Sequence, residues 1–349
     1  IDEAQFVAKR DASFMEAVAK LKKHKLYPGP VLIILATSST VWATQEASEQ
    51  FKGAEMKLES LNFLEVVRHF ESLPVAEIVR IYGAIGGVPA YLDKWDAAKS
   101  FKDNICRLVL TPSGALYGEA DAVIAAELRE LSAYSTILAA IARGENKLND
   151  IFHATGFSRA KISVYLKNLA TFNIVEKVVS FETGGWENAK KGVYQIKDTF
   201  VNFWFKFVYP NMSNLYLLSP EEFYDTYIEK ELDAYLERYF REVCTEYLLI
   251  LNQMGQLPFT IKRVGTWIGK TGRIDIVAQS EDRRSIIGFC NWDKPMMTMD
   301  MCENMAMAME QARLTSDDYY LFSATDFEPA LQSYVVRDPR FKLINMNEL

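Results

Sequence analysis

The first residues whose types and spacing could do chemistry open the chain. Asp2 and Glu3 follow Ile1 directly, at the end of what reads as a short strand. Adjacent carboxylates there can serve two purposes at once. One can sit in the outer shell of a Mg²⁺ ion while the other takes a proton from an attacking water. A second set is cationic. Arg159, Lys161 and Lys167 lie on the helical stretch Ser158–Leu169, and Lys190-Lys191 flank a polar loop further on. Such a set can neutralise phosphates. Zinc chemistry is not expected. Cys106, Cys244, Cys290 and Cys302 form no CxxC pair, and His24, His69 and His153 stand near neither one another nor a cysteine.

Hydrophobic period and turn signals predict the elements that must hold these residues. Phe14, Val18 and Leu21 recur at helical spacing, and Tyr27-Pro28-Gly29-Pro30 then punctuates the chain. Val31 to Ala36 is apolar and branched and reads as a strand buried on both faces. It delivers the polar run Thr37-Ser38-Ser39-Thr40. Helices are expected over Asn62–Phe70 and Val75–Ile85, broken by Gly86-Gly87-Val88-Pro89. Strand, loop and helix in this order fit an α/β layer.

The texture changes near residue 120. Helices are expected over 128–141, 147–153 and 159–169, with Ser158 as the last one's N-cap. Two alternating strands follow, Ile174–Val179 and Gly192–Ile196, around the tip Thr183-Gly184-Gly185. Helix, helix, turn, helix and hairpin is the winged helix-turn-helix pattern. From about residue 201 the chain reads as an aromatic helix, then a long helix from Glu222 to Leu251. Strands are expected over 259–265, 273–278 and 286–292. A Met-rich helix over 299–314 and two further strands, 319–323 and 341–344, complete it. Met299, Met301, Met305, Met307 and Met309 read as an amphipathic core helix.

Composition sets the outer bounds. The chain has 349 residues, 49% of them hydrophobic and 24% charged, which excludes general disorder and allows two or three domains. The net charge of −7 resides in residues 201–349. Residues 121–200 are slightly basic and form the surface least unfavourable to a polyanion. No apolar run approaches the ~20 residues a bilayer span needs. With no disulfide framework or secretion signal, a soluble cytoplasmic protein with no membrane association is expected.

The residues together resemble one family. Ile1-Asp2-Glu3 resembles the Walker B element of a P-loop ATPase, Ser38 its sensor 1 position, and Gly87-Val88-Pro89 the GxP turn of its helical lid. Leu61–Val66, Ile81–Leu92, Leu110–Tyr117, Tyr194–Asp198 and Phe203–Pro210 extend the likeness to the prokaryotic P-loop ATPases often called archaeal ATPases. The resemblance covers the whole chain. It implies an α/β multidomain protein: a partial P-loop NTPase core with helical lid over 1–118, a winged helix-turn-helix over 119–200, and a restriction-endonuclease-like α/β domain over 201–349. It further implies ATP and Mg²⁺ as cofactors. Asp2 would lie near the metal, Glu3 would orient the water, Ser38 would sense the γ-phosphate, and Gly87 and Pro89 would lie near the adenine.

Three departures bear on this. No GxxxxGK(S/T) phosphate loop occurs; Gly269-Lys270-Thr271 has Val264 where the first glycine belongs. Without that cradle this chain alone should bind nucleotide poorly or not at all, which reads as a fragment or a degenerate member, with Asp2 and Glu3 vestigial unless an N-terminal portion is supplied elsewhere. Lys52-Gly53-Ala54 replaces the basic pair often found before Leu58–Phe63. A nuclease of the implied fold needs an Asp followed on the next strand by Glu-x-Lys. Asp275 matches the first carboxylate, with Glu242 or Glu246 able to add another. Phe289-Cys290-Asn291 occupies the Glu-x-Lys place. Cleavage centred on Asp275 as a metal ligand therefore ranks below an ATP-dependent switch coupled to DNA or a protein partner. It also ranks below a non-enzymatic DNA-binding regulator using Arg159, Lys161, Lys167 and Lys190. The winged helix can equally act as a rigid protein–protein module. An opening at Ile1 in mid-motif reads as a cut through an ATPase sheet, with apolar strands left to self-associate through the first segment.

Overall fold

Two units make up the chain, Ile1–Glu59 and Ser60–Leu349. The computed structural model describes residues 1–23, 32–39, 41–51, 55–181, 192–269 and 272–349.

In the first unit the Ile1 amine donates to the Ile34 carbonyl at 2.8 Å, and the Ile1 carbonyl accepts from the Ala36 N–H at 2.9 Å. This is the slanted bonding of a parallel pair. The Ala4 N–H continues it to the Ala36 carbonyl at 2.9 Å, and helix α1 (Ala4–Arg10) begins there, followed by α2 (Phe14–Lys23). Residues 32–37 belong to no ladder. Leu32 and Ile34 are 83% and 65% exposed, while Ile33 and Leu35 are half-buried. The expectation of a strand buried on both faces is corrected here. The exposure alternates with the period of a strand covered on one face; among the described residues its backbone is bonded by Ile1 and Ala4 alone. Val31 and Thr40 lie outside the described residues.

The second unit begins with α3 (Phe63–His69) and α4 (Val75–Ile85). Asn62 and Glu65 form a reciprocal capping box at the start of α3, both bonds 2.9 Å. Its remaining orphan donors face a carboxylate from far along the chain: Glu246 accepts the N–H groups of Phe63 and Leu64 at 3.0 and 3.1 Å. Next come α5 (Leu131–Ala142), α6 (Leu148–Thr155) and α7 (Arg159–Thr171). Gly156 ends α6 in the left-handed conformation that favours glycine (φ 69°). Ser158 caps α7 through the Lys161 N–H at 3.2 Å. Strands β1 (Val175–Val178) and β2 (Val193–Ile196) pair antiparallel with Val175 opposite Ile196. The hairpin tip, with Lys190-Lys191, lies outside the described residues.

The aromatic segment Thr199–Phe203, continuing through Trp204–Val208, buries Phe200, Phe203, Trp204, Phe205 and Phe207. A helical stretch apolar all round can only sit inside. The long helix expected from Glu222 is two helices. Pro220–Tyr227 stops at the buried Ile228, and α8 (Glu229–Gln253) restarts beyond it.

A five-stranded mixed sheet follows, in the order β3 (Arg263–Ile268), β4 (Arg273–Gln279), β5 (Ser285–Asn291), β6 (Asp318–Ser323), β7 (Phe341–Asn345). The first two pairings are antiparallel and the last two parallel. Between β5 and β6 runs α9 (Met299–Ala312), and between β6 and β7 runs α10 (Pro329–Arg337). Leu236, Phe240, Val243 and Leu248 of α8 share a core with Ile276, Ile286, Tyr320 and Phe322. Met305 and Met309 of α9 share a second with Val277, Ile287 and Leu321. Met307 points outward, 54% exposed. The first core is continuous from Phe63 to Met346, so stretches of different sequence texture are joined through their side chains. Among the described residues no helix is long and apolar enough to cross a membrane.

Candidate functional site

The parallel pairing of Ile1 with residues 34–36 fixes a register, and that register carries Asp2-Glu3 alongside Thr37-Ser38. Glu3 adopts a left-handed conformation, φ 47° and ψ 45°, uncommon outside glycine. It turns the chain into α1 and sends its side chain back toward the neighbouring segment. Its Oε2 accepts the Ser38 hydroxyl at 2.9 Å across 35 residues of sequence, the Gln5 side-chain amide, and more distantly the Ser38 N–H at 3.4 Å. These bonds, Gln5's foremost, hold the Glu3 carboxyl below its ordinary pKa. Among the described residues its Oε1 accepts no hydrogen bond. Asp2 is exposed and, among the described residues, accepts only the Glu3 N–H, at 2.9 Å.

Sequence reasoning had marked Asp2, Glu3 and Ser38, but not Gln5 or Thr37. The Thr37 hydroxyl donates to Gln5 Oε1 at 2.6 Å, and the Gln5 amide reaches Ser38 Oγ at 3.0 Å. The available signal was two polar side chains, each adjacent to or two residues from a candidate, on segments expected to pair.

Gly87 and Pro89 belong to the second unit and have local work there. The Gly87 carbonyl accepts the Leu61 N–H at 2.8 Å. A Cβ on Gly87 would stand 1.8 Å from the Leu61 carbonyl oxygen. Pro89 occupies the first turn of the short helix Pro89–Leu92, where its missing N–H costs nothing.

Arg159 and Lys167 are exposed on α7, and Lys161 is half-buried. Arg159 bonds Asn149 at 2.5 Å and lies 4.1 Å from the Phe152 ring centre. Lys161 lies 4.4 Å from that of Phe157. No acidic residue occurs between Arg159 and Thr171. Lys190 lies outside the described residues.

Asp275 is buried on β4 with cationic company. Arg241 of α8 and Arg273 both donate to its Oδ1 at 3.0 Å, and its Oδ2 accepts the Cys290 N–H at 3.1 Å. Against the expectation of a metal ligand, the oxygen a cation would use already faces two guanidinium groups, and like charge would repel it. The suggested helper carboxylates are not brought to it either. Glu242 bonds Arg238 at 2.8 Å, and Glu246 caps α3. The Asn291 amide is engaged with Ser323 at 3.0 Å and Thr325 at 3.1 Å. Among the described residues no group of three or more His, Cys, Asp or Glu side chains could hold a metal ion.

Known proteins offer limited company. A family described as "Archaea bacterial proteins of unknown function" matches residues 204–307, from the buried aromatic segment through most of α9. The chain is similar to an uncharacterized protein of Methanocaldococcus jannaschii, 29% identical over 301 residues, covering 84% of this chain and 66% of that protein. Among solved structures it is similar to a Walker-type ATPase of Pyrococcus abyssi, with 17% identity and a TM-score of 0.28, covering 56% of this chain and 50% of that one. The chain thus spans about two thirds of the curated relative and half of the solved protein it matches.

Proposed function

We propose that the chain is part of an ATP-dependent conformational switch, and that its first unit carries the water-orienting and phosphate-sensing side of the hydrolysis site. The observation that carries this reading is the Glu3–Ser38 contact. A carboxylate and a hydroxyl 35 residues apart meet at 2.9 Å because Ile1 pairs in parallel with the segment ending in Ser38. Among the described residues Glu3 has one oxygen anchored while the other accepts no hydrogen bond, which suits a base that must face a water in a fixed direction. The exposed Asp2 supplies a hard oxygen of the kind Mg²⁺ prefers. The hydroxyl of Ser38 is the group that would register charge on a nearby phosphate.

Bound Mg²⁺-ATP would supply the phosphoryl group to be transferred to water; these residues orient and sense. The 349 residues contain no GxxxxGK(S/T) loop, so the reading requires phosphate-binding groups from beyond them. Calorimetric titration of residues 1–349 with MgATP should therefore give no binding heat. Micromolar binding would mean that another segment cradles the phosphates.

A second reading is supported by α7, a capped helix with exposed cations and no acid, preceding a two-stranded hairpin. We read residues 119–200 as a winged helix that contacts duplex DNA through Arg159, Lys161 and Lys167, so that the switch and the DNA contact would belong to one protein.

A further inference from the structure

Gln5 and Thr37 form a hydrogen-bonded chain in which every donor has one direction. The Ser39 N–H donates to Thr37 Oγ1 at 3.1 Å. The Thr37 hydroxyl donates to Gln5 Oε1 at 2.6 Å. The Glu3 carboxylate settles which way the Gln5 amide faces, because an ionised carboxylate can only accept and so demands the NH₂. The amide carbonyl is thus left to Thr37, on the other side of the ring. The amide NH₂ then faces both Glu3 Oε2 and Ser38 Oγ. The Ser38 proton in turn goes to the same Oε2, at 2.9 Å.

We propose that Gln5 and Thr37 are positioning residues for Glu3. Together they select Oε2 as the anchored oxygen and leave Oε1 as the one presented to the reaction. This rests on the reading of the first unit as a hydrolysis site. Neither residue touches water or phosphate in the proposal; each acts through Glu3. The orientation matters because a carboxylate with both oxygens free rotates about its last bond, and a base that must meet one water loses rate when its direction is spread. Anchoring one oxygen by two side-chain donors removes that freedom, while among the described residues the other oxygen accepts no hydrogen bond. Thr37 does its part at one remove. Without its hydroxyl the Gln5 carbonyl loses its donor, and the side chain is free to swing away from the carboxylate.

Two measurements test this separately from the functional reading. The first needs no catalysis. With glutamine side chains labelled in residues 1–349, the Gln5 NH₂ protons should exchange with solvent about tenfold more slowly than those of the exposed Gln256. Thr37→Val and Glu3→Ala should each bring them to the Gln256 rate, and Thr37→Ser should keep them protected. Exchange at the Gln256 rate in the wild type, or protection that survives Thr37→Val, would overturn the ring.

The second measurement uses the protein expressed from its own gene. Gln5→Leu and Thr37→Val should each lower kcat for MgATP hydrolysis about tenfold with KM nearly unchanged. The double variant should fall no further, and Thr37→Ser should recover the rate. A protected Gln5 amide with an unaltered kcat in Gln5→Leu would refute the positioning role. A wild type that hydrolyses no ATP would instead refute the functional reading on which that role rests.

Discussion

Gly87 shows how closely two backbones can approach when one lacks a side chain. Its carbonyl bonds the Leu61 N–H, and a methyl group there would stand 1.8 Å from the Leu61 oxygen. Gly87→Ala must therefore push this pairing apart, at about 1–3 kcal/mol. Gly118→Ala, with nothing near the added carbon, should fall within ~0.5 kcal/mol of wild type. Urea denaturation compares the two, and equal midpoints would contradict the close approach. Asp198 makes a different residue-scale prediction. It caps the Val201 N–H at 2.8 Å, and burial pushes its carboxyl above the ordinary value. The folded state then keeps the proton to higher pH than the unfolded state does. Its contribution to stability falls as pH rises from about 4, the ordinary carboxylate value, to the raised one. Asp198→Asn keeps the cap without the charge. The variant should thus gain on the wild type between about pH 4.5 and pH 8 in parallel denaturation curves. An identical difference at both values would show that burial does not govern this carboxyl.

At the scale of elements, Asp275 ties α8 to β4 and β5 through Arg241 and the Cys290 N–H. Asp275→Ala leaves guanidinium groups and a backbone donor without their acceptor, and should cost about 3–5 kcal/mol. Asp293→Asn, which removes only a pairing with the exposed Lys294, should cost under ~1 kcal/mol. Denaturant midpoints of the two variants check this; similar losses would mean that Asp275 is not a structural joint. The elements differ in how far the sequence revealed them. The helices over 75–85, 148–155 and 159–171 were legible because apolar period and stop signals coincide there. The break at Ile228 was not, because Phe223, Tyr224, Ile228 and Leu232 continue one apolar stripe across it. α10 escaped notice because Leu331 is its one buried residue among the described ones. Residues 32–36 have the composition of a strand buried on both faces. Composition does not count neighbours, and only one face is covered. Asp2, Glu3 and Ser38 could be read as chemistry-bearing types. The ring through Gln5 and Thr37 could not, since it depends on a register set by backbone bonds at Ile1.

The whole molecule combines an acidic chain with the acid-free cationic helix α7, a distribution that allows DNA contact without general affinity for polyanions. Gel shifts with duplex DNA should weaken as salt rises, and Lys167→Glu should weaken binding further while reducing the salt slope by about one. No shift with any duplex would remove the winged helix as a DNA-binding element. At the start of the chain Glu3 and Ser38 meet at 2.9 Å, the contact on which the proposed hydrolysis site rests. Its most direct test is MgATP hydrolysis by the protein expressed from its own gene, wild type against Glu3→Gln. The account predicts a loss on the order of 100-fold or more in kcat, with nucleotide affinity retained. Hydrolysis by Glu3→Gln at the wild-type rate would contradict it.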